Sequence, residues 1–199
     1  MYTLNLGGIE KMKDTRRLVT VSMLIALSIV LMLIIRFPIM PSAAWLEYEP
    51  MDIPLLIAGL QFGPVVGILA VIISSSIQAM TVSAMNGWVG ALMHIISSSA
   101  LVGVTALVYR KNKTKKGAMI GLILGALSMV IVMIPANLLI TTNFYGMPMD
   151  AVIASLPVAV IPFNLLKAGI NCLVTFIIYK PISNFIHKQN DRDMIKVTK

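Results

Sequence analysis

IPLLIAGLQFGPVVGILAVIISSSIQAM, residues 53–80, decides the fold. The stretch is apolar but interrupted at Gly63-Pro64, where proline lacks an amide donor and disfavours helical geometry in the residue before it. Read as one helix it is one crossing of a bilayer; read as two, everything downstream changes side. The basic run Arg110-Lys111-Asn112-Lys113-Thr114-Lys115-Lys116 arbitrates. With one crossing this run lies opposite the basic N-terminal residues Lys11, Lys13, Arg16 and Arg17, against the positive-inside tendency; with two crossings both lie on the same side. The reading is therefore two helices, although 53–61 is short for a span of about 20 residues and begins partly within the preceding loop.

Outward from there, Leu18 to Ile35 is an unbroken apolar run and forms helix one. A cleavable signal peptide is the competing reading, but its apolar region is usually about 7 to 15 residues, shorter than this one. Trp88 to Tyr109 is helix four, Ala118 to Ile140 helix five and Val158 to Tyr179 helix six. The expected fold is an all-α integral membrane protein: a bundle of six transmembrane helices with both termini cytoplasmic. Its parts are a cytoplasmic N-terminal segment over 1–17, a six-helix domain over 18–186 and a cytoplasmic tail over 187–199. In this arrangement 14 of the 16 Lys and Arg residues lie on the cytoplasmic side, and the exceptions are Arg36 and Lys167.

Composition agrees. The chain is 58% hydrophobic and 12% charged, with a mean hydropathy of +0.89, whereas a soluble domain carries about 25% charged residues. The net charge of +8 follows topology, so no nucleic-acid partner is expected. Cys172 lies alone in an apolar stretch without CxxC or metal-ligand spacing and reads as packing.

Small residues at helical spacing, Gly117-Gly121-Gly125 and Gly63-Gly67, read as close-packing faces between helices. Ser22 and Ala26 form a weaker version on helix one, facing a neighbouring helix or another protein. Ser74 to Ser76 and Ser97 to Ser99 can bond back to their own helices. His94 lacks HExxH or a second ligand at metal spacing, so a hydrogen-bonded packing role is expected and no metal.

Chemistry concentrates on helix six. A lysine inside an apolar helix costs at least about 2.5 kcal/mol near the bilayer centre, so Lys167 is expected to be paired or functional unless it snorkels outward. Asn164 three residues before and Asn171 four after share its face. Pro157 and Pro162 loosen the helix start, freeing backbone groups to serve a cavity. Asn137, after Pro135 in helix five, is a second buried amide; interhelical hydrogen bonding and ligand contact are both open for it. With Asn143 and Tyr145 it would line the outer half of the bundle beneath the loop Arg36 to Asp52. That loop carries Trp45, Tyr48, Glu47, Glu49 and Asp52, and reads either as an ordinary connection with interfacial aromatics or as a lid. Apolar walls with a few convergent amides suit a flat, uncharged heterocycle. No P-loop, GxSxG or paired intramembrane acids are present, so no catalytic engine is expected.

Ile161-Pro162-Phe163-Asn164-Leu165-Leu166-Lys167-Ala168-Gly169, Asn137 followed by Tyr145-Gly146-Met147, and Phe62-Gly63-Pro64-Val65-Val66-Gly67 together resemble the riboflavin-specific S components of energy-coupling factor (ECF) vitamin transporters. The likeness runs from about Arg17 to Ile186; the helix-six motif is the more specific part, and the Phe-Gly-Pro turn is shared more widely among S components. It implies a six-helix subunit of the cell membrane that binds riboflavin as transported ligand, with no cofactor. It also implies docking on a transmembrane coupling subunit driven by two ATPase subunits, and a bundle that can topple in the bilayer to carry the vitamin inward. Under the resemblance Asn137, Asn164 and Lys167 contact the flavin ring or ribityl chain, with Tyr145 and Asn171 in the same site. The outer loop closes over it, with Trp45 and Leu46 at the dimethylbenzene end. The family's docking face on helix one is Ala-x-x-x-Ala; here Ser22 stands in the first position, before Ala26.

Three other readings compete. An S component for another vitamin or precursor of similar size shares the architecture, since fold alone does not settle ligand. A membrane enzyme using Lys167 as base or nucleophile would need an adjacent base and an orienting group. A purely structural subunit would leave Lys167 and Asn137 without a ligand.

Overall fold

A computed structural model describes residues 6–81 and 87–197, with side chains described for 14–81, 88–179 and Pro181. The chain is mostly helical: α1 (Leu6–Ile34), α2 (Asp52–Phe62), α3 (Pro64–Thr81), α4 (Gly87–Lys111) and α5 (Lys115–Ala136) come first. A π-helical turn, Asn137–Thr141, carries α5 into α6 (Thr142–Tyr145). After α7 (Met149–Ser155) a second π turn, Leu156–Val160, leads into α8 (Ile161–Val197).

Five helical stretches are long and apolar enough to cross a membrane: 14–34, 64–81, 88–111, 115–145 and 149–179. The sixth apolar helix, α2, has 11 residues, which at about 1.5 Å per residue is half of a hydrocarbon core about 30 Å thick. The break after it follows from geometry: Gly63 adopts φ +95°, a conformation glycine takes without strain, and Pro64 then opens α3 with its fixed φ. The expected break is present, but Gly63 makes a turn; a Cβ there would meet nothing within 4 Å, so it is no close-packing position.

Short as it is, α2 is the centre of the bundle. Asp52 through Leu60 are all buried, and the helix packs against α1, α3, α4 and α8. Met32, Met51, Leu55, Leu56, Val71, Leu101, Val102, Leu122 and Met129 close one core around it. A second cluster, including Met133, Ile140, Leu156 and Val160, joins α4 to the two π turns. Outward faces carry exposed Leu, Ile, Val and Met, as on α1 at Leu18, Met23, Leu27 and Val30, which is the surface that lipid covers.

The α4–α5 pair shows what the glycine ladder does. Thr114 caps α5 by accepting from the Gly117 amide at 3.0 Å. A Cβ on Gly117 would come within 1.9 Å of the Asn112 carbonyl oxygen, one on Gly121 within 2.8 Å of that of Thr105, and one on Gly125 within 2.2 Å of Thr105 Oγ1. Close approach also lets Thr105 donate to the Gly121 carbonyl at 3.2 Å. Cys172 packs beside the first core cluster.

Several elements differ from expectation. Helix five continues to Tyr145 and the last spanning stretch begins at Met149: Pro135 sits inside α5 just before the first π turn, and Pro157 lies within the second, neither ending its helix. The outer loop contains a small antiparallel pair, Phe37–Pro38 with Glu47–Tyr48, in which Phe37 pairs Tyr48. Two strands of two residues each leave the fold class as expected, all-α.

Candidate functional site

The strand pair positions the site. It returns the chain to the bundle at Tyr48, and from there to Asp52 every residue is buried. The outer arm, by contrast, exposes Phe37, Pro41, Ser42, Ala44 and Trp45. Arg36 at the top of α1 forms an ion pair with Glu47 across the hairpin.

Buried carboxylates need compensation, and α3, α4 and α8 supply it. Gln78 Nε2 donates to both Glu49 oxygens, at 2.7 and 2.8 Å. Lys167 Nζ lies 3.3 Å from Glu49 Oε1, and His94 Nε2 lies 3.3 Å from the same oxygen. Asp52 accepts from Ser98 Oγ at 2.6 Å and from Asn171 Nδ2 at 3.1 Å. Asn171 in turn accepts from the Tyr48 hydroxyl at 2.9 Å, and Ser75 Oγ meets His94 Nδ1 at 2.8 Å. Burial acts to raise the Glu49 carboxyl, but the Lys167 ammonium, with His94 and Gln78, outweighs it and holds the group well below the usual carboxylate range. Burial pushes the Tyr48 phenol up, and the nearby Asp52 charge adds to this. The inner strand of the loop is therefore fastened by charge and hydrogen bonds to three helices.

Against this network lies a cavity of about 170 Å³. Trp45 and Leu46 from the loop cover it; Met93, Met129, Met133, Val160 and Phe163 supply apolar wall; Glu49, Gln78, His94, Ser97, Asn137, Asn164 and Lys167 supply polar edge. The two asparagines are positioned by the proline-loosened turns. Asn137 Nδ2 donates to the Met133 carbonyl at 2.8 Å and Asn164 Nδ2 to that of Val160, also at 2.8 Å. Each amide bonds its own helix, so the interhelical bond open for Asn137 is not the one formed.

Of the residues singled out in the sequence, Asn137, Asn164, Lys167, Trp45 and Leu46 meet around this cavity. Lys167 is 5% exposed, which rules out snorkelling. Asn171 shares the helix face but lies one turn deeper, fully buried in the Tyr48–Asp52 network. Tyr145 and Asn143 are exposed at the end of the α5–α6 helix and do not line the cavity, because that helix runs on past it. Ser22 and Ala26 are both exposed on α1. Three serines bond away from their own helices. Ser76 and Ser97 do bond their own helices, but Ser74 reaches Ser28 of α1 at 3.0 Å, while Ser75 and Ser98 serve His94 and Asp52.

Glu49, Gln78 and His94 are the parts that sequence reasoning missed as site residues. The signal was indirect: an intramembrane lysine calls for an anion, and Glu49 and Asp52 bracket the proline that leads into α2.

The family model for the ECF transporter substrate-specific component matches residues 16–179. The riboflavin transporter RibU of Staphylococcus aureus (strain TCH60) is 28% identical over 186 residues, covering 89% of this chain and 95% of that protein. The riboflavin transporter FmnP of Bacillus subtilis (strain 168) is 28% identical over 182 residues, covering 87% and 95%. A solved structure reported under "Structure and mechanism of the S component of a bacterial ECF transporter" superposes with a TM-score of 0.75 at 29% identity, covering 87% of this chain and 98% of that one.

Proposed function

Because this chain belongs to the family of ECF transporter substrate-specific components, we propose that it captures riboflavin with high affinity from outside the cell and passes it to an energising module for import. It is a substrate-binding transport subunit and not an enzyme. Its partners in this reading are a transmembrane coupling subunit and two ATPase subunits, docked along the exposed Ser22–Ala26 face of α1. The grouping of 14 of 16 basic residues on one side supports a multi-pass orientation in the cell membrane with both termini cytoplasmic.

The observation that carries the proposal is the meeting of two amides and one ammonium, from the two last spans, at one apolar cavity under a hairpin. A carboxamide offers both donor and acceptor, as the pyrimidine edge of a flavin requires. Methionines and Phe163 suit the ring faces, and Trp45 and Leu46 the dimethylbenzene end. Small-molecule pockets usually enclose about 300 Å³ or more, so a flavin needs more room than the cavity of about 170 Å³ provides. The exposed outer arm carrying Trp45 is the part that can lift, because the inner strand is fastened through Glu49 and Asp52.

A flavin-like absorbance that copurifies with the chain, and displacement of bound riboflavin by unlabelled riboflavin but not by thiamine or biotin, are the expected results. Displacement by another vitamin in preference to riboflavin would favour the alternative, an S component for a different vitamin or precursor of similar size.

A further inference from the structure

A second cavity, of about 320 Å³, opens at the opposite, basic end of the bundle. Its floor is Gly59, Leu60 and Ala106, and its rim carries Arg17, Arg110 and Lys113 from α1, α4 and the α4–α5 turn. No carboxylate is among the described residues that line it. Arg17 is held over the opening by a 3.3 Å hydrogen bond from Nη2 to the Phe62 carbonyl, at the C-terminal end of α2 where a cation is favoured; a guanidinium has further donors in the same plane. Tyr109 forms another wall and is fixed by a hydrogen bond to the Tyr179 hydroxyl.

We propose that this cavity binds the phosphate of an anionic phospholipid headgroup. Cations gathered at one end of the bundle satisfy topology anywhere on that face; three of them around one cavity make an anion site. The lipid source follows from what adjoins the rim. Leu18 next to Arg17, and Val65 next to Pro64, are exposed apolar side chains continuous with the outward faces of α1 and α3. Acyl chains lie along those faces while the headgroup reaches the cations. The ligand chemistry is a phosphate ester, and the site is separate from the cavity under the hairpin.

The test uses the full chain in nanodiscs containing equal amounts of phosphatidylglycerol and phosphatidylcholine with matched acyl chains, reading retained lipid by native mass spectrometry. Preferential retention of phosphatidylglycerol is expected, falling about five-fold for each cation neutralised in Arg17→Gln, Arg110→Gln and Lys113→Gln. Lys115→Gln, a cation of the same face outside the cavity, should leave the preference unchanged. Arg110 and Lys113 are surface residues, so their variants remain informative if loss of the Phe62 cap impairs Arg17→Gln. Equal retention of the two lipids, or an equal loss in Lys115→Gln, overturns the proposal. Binding of inorganic phosphate without any lipid preference overturns the lipid source, and binding of neither leaves the cavity to an acidic segment of a protein partner.

Discussion

Lys167 of α8 and Glu49 of the outer hairpin, 118 positions apart in the chain, meet with Nζ and Oε1 at 3.3 Å, both nearly sealed from solvent. The ammonium that marks the site thus also fastens the loop covering it. Each charge is tolerable only because the other is present.

Glu49→Gln leaves Lys167 buried without its anion and is expected to destabilise the detergent-solubilised protein by about 3 kcal/mol or more. Glu49→Gln combined with Lys167→Met removes both charges and should recover much of that loss. Thermal unfolding of the two variants checks it; a double variant no better than the single one would mean that the pair is not the reason.

The depressed Glu49 carboxyl makes stability depend on pH with a definite sign. Its folded value lies below the ordinary 4.5, so the unfolded chain takes up the proton first as pH falls. The contribution is fully present above about pH 5 and fades as pH drops from 4.5 toward the folded value. A melting series from pH 7 to about pH 3 should show the decline in the wild type and a shallower one in Glu49→Gln.

Gly125→Ala puts a methyl where Thr105 Oγ1 and the Leu101 carbonyl already stand, 2.2 and 2.6 Å from the ideal Cβ. Overpacking of this kind costs about 1 to 3 kcal/mol. Gly169→Ala, with nothing within 4 Å of its Cβ, is the matched control and should unfold like the parent.

Trp45 is 69% exposed at the cavity mouth, so Trp45→Ala should leave the melting temperature nearly unchanged while speeding riboflavin release. Stopped-flow dissociation measures this. An unchanged off-rate would show that the outer arm does not hold the ligand in.

What could be read from the sequence, and what could not, divides along physical lines. Lys167, Asn164 and Asn137 stand out because a charge or amide inside an apolar run has few cheap explanations. Their convergence with Trp45 and Leu46 follows from helix faces and loop order. Glu49 was hidden for the opposite reason: acids beside prolines and aromatics read as an ordinary outer loop, and nothing local says that the chain dives back at Tyr48. His94, Ser75 and Ser98 were ambiguous because a serine can bond its own helix or a neighbour at similar cost, and only packing decides. The apolar run ends near Ile140 and so sets Tyr145 close to the site; the π turn at Asn137 carries the helix on to Tyr145, past the cavity. The Gly63-Pro64 break was legible, since one backbone constraint and one charge asymmetry point the same way.

Equilibrium quenching of riboflavin fluorescence by the purified chain, run beside Asn164→Ala and Lys167→Ala, tests most directly whether the cavity under the hairpin is the vitamin site. Saturable quenching by the wild type is predicted, with affinity weakened about ten-fold or more in each variant, as loss of a buried hydrogen bond of about 1 to 3 kcal/mol requires; Lys167→Ala is also less stable, because Glu49 loses its cation, and is read at a temperature where it is folded. Unchanged affinity in both variants, or no quenching at all by a folded wild type, would contradict it.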